Sequence, residues 1–119
     1  MRATTRATRW SALVSGVLVA NSAPHLASAV AGRRHLTPLA GRESSPAVNG
    51  VWGAANLLGG LVLLRRVAGA PSPSRWDGRL HWFEVGAAGF AAWMAASELA
   101  LRVNTPRAVE TRGPRSYRG

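Results

Sequence analysis

The amino-acid sequence predicts an all-α protein, a small transmembrane bundle of three membrane-spanning helices followed by a disordered basic tail. The first observation is the composition: 47% of the 119 residues are hydrophobic and only 17% are charged. The second is that the apolar residues fall into three blocks, at 10–32, 44–64 and 80–101. A bilayer core needs about 20 mostly apolar residues per helix, and each block meets that length. This distribution argues against a water-soluble enzyme domain.

The basic residues are placed where a membrane protein needs them. Arginine supplies all 15 basic side chains, and the formal net charge is +10. The arginines cluster at the ends of the apolar blocks, where lipid phosphates and water can solvate them. A helix that binds DNA would instead mix basic and polar residues on one face. The pattern therefore predicts the lipid bilayer as a partner and no nucleic-acid binding.

Several kinds of chemistry lack the residues they need. The chain has no cysteine and no lysine, which excludes disulfides, thiolate metal sites, a Walker A loop and a Schiff-base lysine. Its 3 histidines do not follow the spacing of a known metal motif. We therefore expect no enzyme activity, no catalytic residue, no metal and no cofactor.

The first helix is predicted over 10–32, and two interpretations of it remain open. As a membrane helix it has sufficient length, and Arg33 and Arg34 would end it. As a secretory signal it has a basic start, an apolar run and a small-residue site, and cleavage near Ala29 would release a secreted or anchored product. Pro24 lacks an N–H and clashes with the preceding turn, so we expect a kink or break about one turn earlier.

The second and third helices have residues that suit helix ends. Ser45 is a good N-cap and Pro46 fits the first helical position, so the second helix is predicted over 46–64. Asp77 is the expected N-cap of a third helix over 79–102.

These elements divide the chain into two parts. The three helices form a transmembrane domain over 1–104. The tail over 105–119 is basic and contains proline and glycine, so it is predicted to be disordered.

Five polar residues inside the apolar blocks are the candidates for a functional site: Asn21, His25, Asn49, Asn56 and Glu84. Helical spacing places the first two on one face of the first helix and the two later asparagines on one face of the second, so we expect these faces to meet. The structural interpretation is interhelical hydrogen bonding, worth about 0.6 kcal/mol per bond in membranes. The functional interpretation is a polar pocket or path. Glu84 has no arginine four residues later, and an intramembrane carboxylate is a candidate for function.

The third helix also carries a stripe of small and ionisable residues at spacings of three and four. This stripe contains His81, Glu84, Ala88, Ala91, Ala95, Glu98 and Arg102. Small residues let helix backbones approach closely in lipid, so the stripe predicts the packing face of the third helix. At its end, Glu98 and Arg102 are spaced for an ordinary i,i+4 ion pair.

A set of short strings gives the first half of the chain a resemblance. The strings are Asn21-Ser-Ala-Pro24-His25, then Gly32-Arg33-Arg34, then Thr37-Pro38 with Gly41, then Ser45-Pro46-Ala-Val-Asn49 and Trp52-Gly53-Ala-Ala-Asn56. In this order they resemble an uncharacterised family of small bacterial multi-pass integral membrane proteins. The resemblance covers roughly residues 21–60. It implies a multi-pass membrane fold with the first helix retained, and it transfers no activity and no catalytic residue.

Three functions follow as hypotheses. The leading one is a non-enzymatic multi-pass protein of the cell membrane that acts by helix–helix association, as a homo-oligomer or with a larger membrane partner. The alternative is a component of a proton or small-solute transport path that uses the intramembrane polar residues. The third is the product of cleavage near Ala29. The arginines on the two sides of three spans number seven and eight, so the positive-inside count is nearly tied. Because the first helix often dominates and Met1 adds an amine near Arg2, a cytoplasmic amino terminus is weakly favoured.

Overall fold

The computed structural model describes residues 5–69, 78–102 and 104. Within these residues the chain forms three α-helices, α1 (Arg6–Val30), α2 (Pro46–Ala68) and α3 (Gly78–Leu101), and no β-strand. The predicted all-helical class is therefore confirmed. The expected N-cap Asp77 and the tail over 105–119 lie outside the described residues.

Local hydrogen bonds define both ends of α1. It begins four residues earlier than predicted, because the hydroxyl of Thr5 accepts a hydrogen bond from the Thr8 amide and caps the first turn. It ends at Val30, two residues before the predicted end. There the Arg33 amide donates to the Ser28 carbonyl (2.8 Å) and the Gly32 amide to the Ala29 carbonyl (3.2 Å), a Schellman motif. The motif requires a left-handed residue, and Gly32 supplies it with φ of 65°.

Of the kink or break expected before Pro24, the break is wrong, because α1 runs without interruption through that residue. The kink stays a prediction. Proline removes only one helical hydrogen bond, and the turns on either side hold the helix together. Two residues earlier, the hydroxyl of Ser22 donates to the Val19 carbonyl at 2.6 Å, a local bond that helices tolerate.

The start of α2 follows the prediction. The hydroxyl of Ser45 accepts a hydrogen bond from the Val48 amide, and Pro46 is the first helical residue. The helix then continues four residues beyond its predicted end, to Ala68. Arg65 and Arg66 form part of its last turn rather than ending it, since arginine is a good helix former and its charge is favourable near a helix carboxyl terminus.

The helix α1 lies at the centre of the bundle, with α2 and α3 both packed against it. The α2 glycines show that α2 runs antiparallel to α1: Gly53 lies against Leu26, and Gly60 lies against Val19. The third helix runs parallel to α1, because Leu13 contacts Gly86 near the start of both helices, and residues 25 and 97 line one cavity near their ends.

The face by which α3 packs differs from the predicted one. Its alanines Ala88, Ala91 and Ala95 are exposed, as are His81 and Glu84 of the same stripe. The opposite face is turned inward and contains Phe83, Gly86, Phe90, Met94 and Ser97. Gly86 is the one buried residue of α3 within the described chain, and it lies directly on the α1 backbone. A glycine allows a closer approach than alanine, which is why this face forms the contact.

Two of the helices, α1 and α2, are long and apolar enough to cross a membrane. The third, although 24 residues long, is not among them, so the prediction of three spans is supported for two helices only. The reason lies in the composition of α3: Arg79, His81, Glu84 and Glu98 interrupt its apolar residues.

The distribution of polarity is inverted relative to a water-soluble domain. The largest fully buried side chains are polar: Asn49, Thr37, Ser15 and Ser44. Large apolar side chains lie on the outside, among them Val51, Leu58, Trp93 and Leu99. Soluble proteins bury their apolar residues and expose their polar ones.

Candidate functional site

The polar candidates meet at the end of the bundle where α1 ends and α2 begins. The connecting segment over 31–45 folds back over this end and contributes backbone carbonyls to it. Two layers of side-chain hydrogen bonds result. The outer layer is built on His25 and Asn49, and the inner layer is built on Asn21 and Asn56.

The side chain of Asn49 holds the outer layer together. Its Nδ2 atom lies within hydrogen-bond distance of three backbone carbonyls: those of His35 (3.1 Å), Ser44 (3.0 Å) and Ser45 (3.1 Å). Its Oδ1 atom lies 2.8 Å from Nδ1 of His25. The residue is fully buried, and all of its polar atoms have partners. Since only an NH₂ group can donate to the three carbonyls, the orientation of this amide is fixed.

The amide of Asn49 determines the proton position on His25. Oδ1 can only accept, so Nδ1 of His25 must carry a proton and donate it. In the neutral imidazole, Nε2 then has a free lone pair. The ring is 4% exposed and lines a cavity. No buried side-chain nitrogen or oxygen in the described structure lacks a hydrogen-bond partner. No hydrogen bond reaches Nε2 among the described residues, so Nε2 is not fully buried. We infer that it is accessible from the cavity that the ring lines.

The connecting segment over 31–45 covers the outer layer and is called the roof below, and a tight turn lies within it. Thr37 and Gly41 exchange two backbone hydrogen bonds of 3.1 and 2.9 Å, and Gly41 takes a φ of 79°. The hydroxyl of Ser44 donates to the Gly41 carbonyl and lies 2.7 Å from the Thr37 hydroxyl. Thr37 and Ser44 are both buried, so the turn is part of the packed structure and not a free loop.

His35 joins the roof to His25. The two imidazole rings meet edge to face, with their centroids 4.9 Å apart. Burial lowers the pKa of His35 below its ordinary value of 6.5, and the nearby His25 lowers it further, while the Glu98 carboxylate acts in the opposite direction. The neutral form of His35 is therefore favoured in the folded chain.

The inner layer lies about one turn deeper between α1 and α2. Nδ2 of Asn21 donates to Oδ1 of Asn56 at 3.0 Å, and Nδ2 of Asn56 donates to the Trp52 carbonyl at 2.8 Å. Deeper still, the buried hydroxyl of Ser15 donates to the Gly60 carbonyl at 2.8 Å. These bonds satisfy groups that would be costly to leave unpaired in an apolar environment.

The carboxyl-terminal end of α3 is attached to the same roof. Oδ1 of Asn104 accepts a hydrogen bond from the Leu36 amide (3.1 Å), and a guanidinium nitrogen of Arg42 donates to the Arg102 carbonyl (2.7 Å). Oε2 of Glu98 accepts from the Asn104 amide at 2.9 Å. One hydrogen bond of Glu98 is thus to the backbone of Asn104, whereas the sequence predicted an ion pair with Arg102.

A cavity of about 390 Å³ lies between the three helices beneath the roof. Polar residues at its boundary are Asn21, His25, His35, Ser97 and Asn104, and apolar ones are Leu36, Trp52, Trp93, Met94 and Leu101. Its volume falls within the range of small-molecule pockets. The residues that the structure describes contain no group of three metal-ligating side chains.

The structure brings together four of the five candidate residues. Asn21 pairs with Asn56, and His25 pairs with Asn49, whereas Glu84 lies exposed near the other end of the bundle. Sequence reasoning missed Ser15, Thr37 and Ser44, and it gave His35 no role. Proline and glycine in the string from Thr37 to Gly41 are typical of a turn, but nothing in the string indicates that the turn packs on the helices.

The fold and the polar layers define an all-α chain in which two helices are able to cross a membrane. Comparisons with protein-family models, with curated proteins and with solved structures find no match to this chain. The resemblance in the first half of the sequence therefore stays a prediction.

Proposed function

We propose that this chain is a non-enzymatic, multi-pass protein of the cell membrane that acts by helix–helix association, first of all with a second copy of itself. The placement in a membrane is supported by the inverted polarity of the structure. In each of α1 and α2 only 22% of the most apolar window is buried. A core helix of a soluble domain with this hydropathy would be mostly buried, whereas a lipid-facing helix needs no such cover.

The proposal includes a third span, and the packing of α3 supports it. Because α3 runs parallel to α1 and contacts it near both ends, it lies at the same depth as α1. Its carboxylates Glu84 and Glu98 then fall toward the two ends of the span. Side chains at these levels can reach the interface, where charge is less costly than at the bilayer centre.

The proposal also retains α1 rather than losing it as a cleaved signal. Cleavage near Ala29 would separate His25 from Asn49 and remove both layers of interhelical hydrogen bonds. It would also cut the Schellman motif at the end of α1. The intact mass of the chain in the membrane fraction tests this point, since cleavage would remove residues 1–29.

The association itself rests on one observation: the small-residue stripe of α3 faces away from α1. Ala88, Ala91 and Ala95 are exposed, and beside them the Cβ position of Gly89 has no neighbour within 4 Å. The spacing of three and four is that of a left-handed helix pair. A second α3 packed on this face would bury the stripe and cover Glu84 as well.

Energy transfer between labelled copies in lipid vesicles tests the association. The cysteine-free chain can carry a single label at Gly119→Cys. We expect transfer at high lipid-to-protein ratios, and we expect Ala88→Leu with Ala95→Leu to reduce it strongly. The matched control is Ala55→Leu, an exposed alanine of α2 outside the stripe. Transfer that is absent in the wild type, or equally insensitive to all three substitutions, would contradict self-association through this face.

The transport alternative has less support from the geometry. Asn21, Asn56 and Asn49 use their amide groups on one another and on backbone carbonyls, as interhelical bonds do. Glu84 lies on the far side of α3 and does not continue a path from His25.

A further inference from the structure

The cavity beneath the roof has the character of a binding site for a small molecule from the bilayer. It lies between α2 and α3, which both pack on α1 and leave a space between them at this end. Its outer boundary includes Trp93 and Leu101, which are 66% and 67% exposed on the surface of α3. In a membrane, that boundary faces lipid, so an apolar molecule can enter from the side.

The inner wall of the cavity presents one hydrogen-bonding atom of defined character. Nδ1 of His25 is committed to Asn49 as a donor, and the amide of Asn49 is held in place by three carbonyls. In the neutral form of the ring, Nε2 is therefore an acceptor that faces the cavity. The side chain is 4% exposed, and no hydrogen bond from the described residues reaches Nε2, so this acceptor is available at the cavity wall. A ligand that donates a hydrogen bond satisfies it, and a ligand that can only accept does not.

The other residues that line the cavity indicate which chemical group of a ligand would fit it. The indole rings of Trp52 and Trp93 and the thioether of Met94 offer flat and polarisable surfaces, which favour an aromatic ring. No arginine or carboxylate lines the cavity within the described residues, so a charged ligand would be buried without a counter-charge.

We propose that this cavity binds a neutral, membrane-soluble hydroxyaromatic molecule, a phenol or naphthol in class, whose hydroxyl donates to Nε2 of His25. The ring lies between Trp52 and Trp93, and the hydroxyl points toward α1. The site is independent of the association face, because the cavity residues of α3 and the alanine stripe lie on opposite sides of that helix.

The test uses 2-naphthol and its methyl ether as a matched pair. The two share a ring system, but only the naphthol can donate a hydrogen bond. Binding is measured as the saturable part of the energy transfer from tryptophan to the probe, with the protein in lipid nanodiscs. Partition into lipid adds a component that does not saturate. We expect 2-naphthol to bind about 3- to 10-fold more tightly than the ether, the range that one hydrogen bond gives.

A filled cavity provides the second arm. Ser97→Leu adds volume inside the cavity and leaves the His25–Asn49 pair untouched, so we expect it to weaken binding of both probes at least about tenfold. Ala55→Leu makes the same kind of addition on the exposed face of α2 and should leave binding unchanged. Equal affinities for the naphthol and the ether would overturn the role of Nε2. Saturable binding that survives Ser97→Leu, or no saturable binding in the wild type, would overturn the site.

Discussion

Gly16 of α1 and Gly86 of α3 mark the place where the two parallel helices touch backbone to backbone. A Cβ atom on Gly16 would overlap the Phe83 carbonyl oxygen, and one on Gly86 would overlap the Leu13 carbonyl oxygen. The two glycines therefore depend on each other, since neither close approach exists without the opposite backbone. In lipid, such close packing takes the place of the hydrophobic effect in holding helices together.

Alanine at either glycine is expected to separate α1 from α3. The backbone atoms cannot move aside as a flexible side chain would, so we expect Gly86→Ala to cost about 1–3 kcal/mol of unfolding free energy. Gly89→Ala is the control on the same helix, because its Cβ meets nothing within 4 Å and alanine favours the helix. Thermal unfolding in detergent measures both. Equal effects of the two substitutions would show that the crossing point does not depend on Gly86.

A carboxylate at Asn49 is expected to be severely destabilising. Asn49→Asp would replace the donor that serves three carbonyls with an oxygen, and it would bury a charge. We expect a loss of about 3 kcal/mol or more. Asn104→Asp is the matched control, since Oδ1 of Asn104 accepts from the Leu36 amide and aspartate still accepts. Urea unfolding of the detergent-solubilised protein compares them, and a mild effect at Asn49 would contradict the described orientation of its amide.

The stability of the roof is expected to depend on pH through His35. Its pKa is lowered in the folded chain by burial and by His25, whereas the unfolded chain binds a proton near the ordinary value of 6.5. The unfolded state therefore gains a proton first as the pH falls. Stability is complete above about pH 6.5 and declines toward the lower folded pKa.

Two substitutions identify the residue responsible for this pH dependence. His35→Gln should flatten the decline in melting temperature between about pH 7 and pH 5. Glu98→Gln removes the group that raises the pKa of His35, so the decline should extend to lower pH. His81→Gln, at the exposed start of α3, should leave the profile as it is. An unchanged profile in His35→Gln would contradict this assignment.

The side of the membrane on which each segment lies is the direct test of the third span. Reporter fusions at Gly41, Ser74 and Gly119 should alternate in side if α1, α2 and α3 all cross. The informative pair is the last two, because α3 alone separates them and α3 is not among the helices that are long and apolar enough to cross a membrane. If the fusions at Ser74 and Gly119 report the same side, α3 lies along the membrane and the bundle has two spans.

Glu84 is expected to be dispensable for folding. It is exposed, whereas Glu98 accepts a hydrogen bond from the Asn104 amide. Glu84→Gln removes a charge from the outer face of α3 and should leave the melting temperature unchanged or raise it. A loss of proton flux in reconstituted vesicles, with abundance and melting temperature intact, would instead support the transport alternative.

The parts of the fold that depend on neighbours in sequence were predictable. Ser45 and Pro46 mark the start of α2, because the N-cap hydroxyl and the amide that it bonds are only three residues apart. The pairing of α1 with α2 followed from polar residues at helical spacing. The packing face of α3 could not be predicted in this way, because small residues lie on both faces of the helix: the alanines on the outer face, and Gly86 and Ser97 on the inner one. Only the contact with Gly16, 70 residues away, selects the face that contains Gly86.

The candidate site was predictable for its helical members and not for its roof. Asn21, His25 and Asn49 are conspicuous because they are polar in apolar blocks. The partners of Asn49 are backbone carbonyls of His35, Ser44 and Ser45. Every residue has a backbone carbonyl, so no side chain in the loop indicates that these carbonyls bind Asn49. The positions of the carbonyls depend on how the turn at Thr37 folds.

Because polar residues are buried and apolar residues exposed in this bundle, the positions that tolerate substitution are expected to differ from those of most proteins. In most proteins the surface accepts many residue types and the apolar core accepts few. Here Val51, Leu58 and Leu61 are exposed, and if they face lipid as we propose, another apolar side chain of any shape can replace each of them. Ser15 and Asn49 are buried and hydrogen-bonded, so a replacement at either position must match both the size and the hydrogen-bond donor of the original side chain. We therefore expect a small number of buried polar residues to tolerate few substitutions, and the exposed apolar residues around them to tolerate many apolar ones.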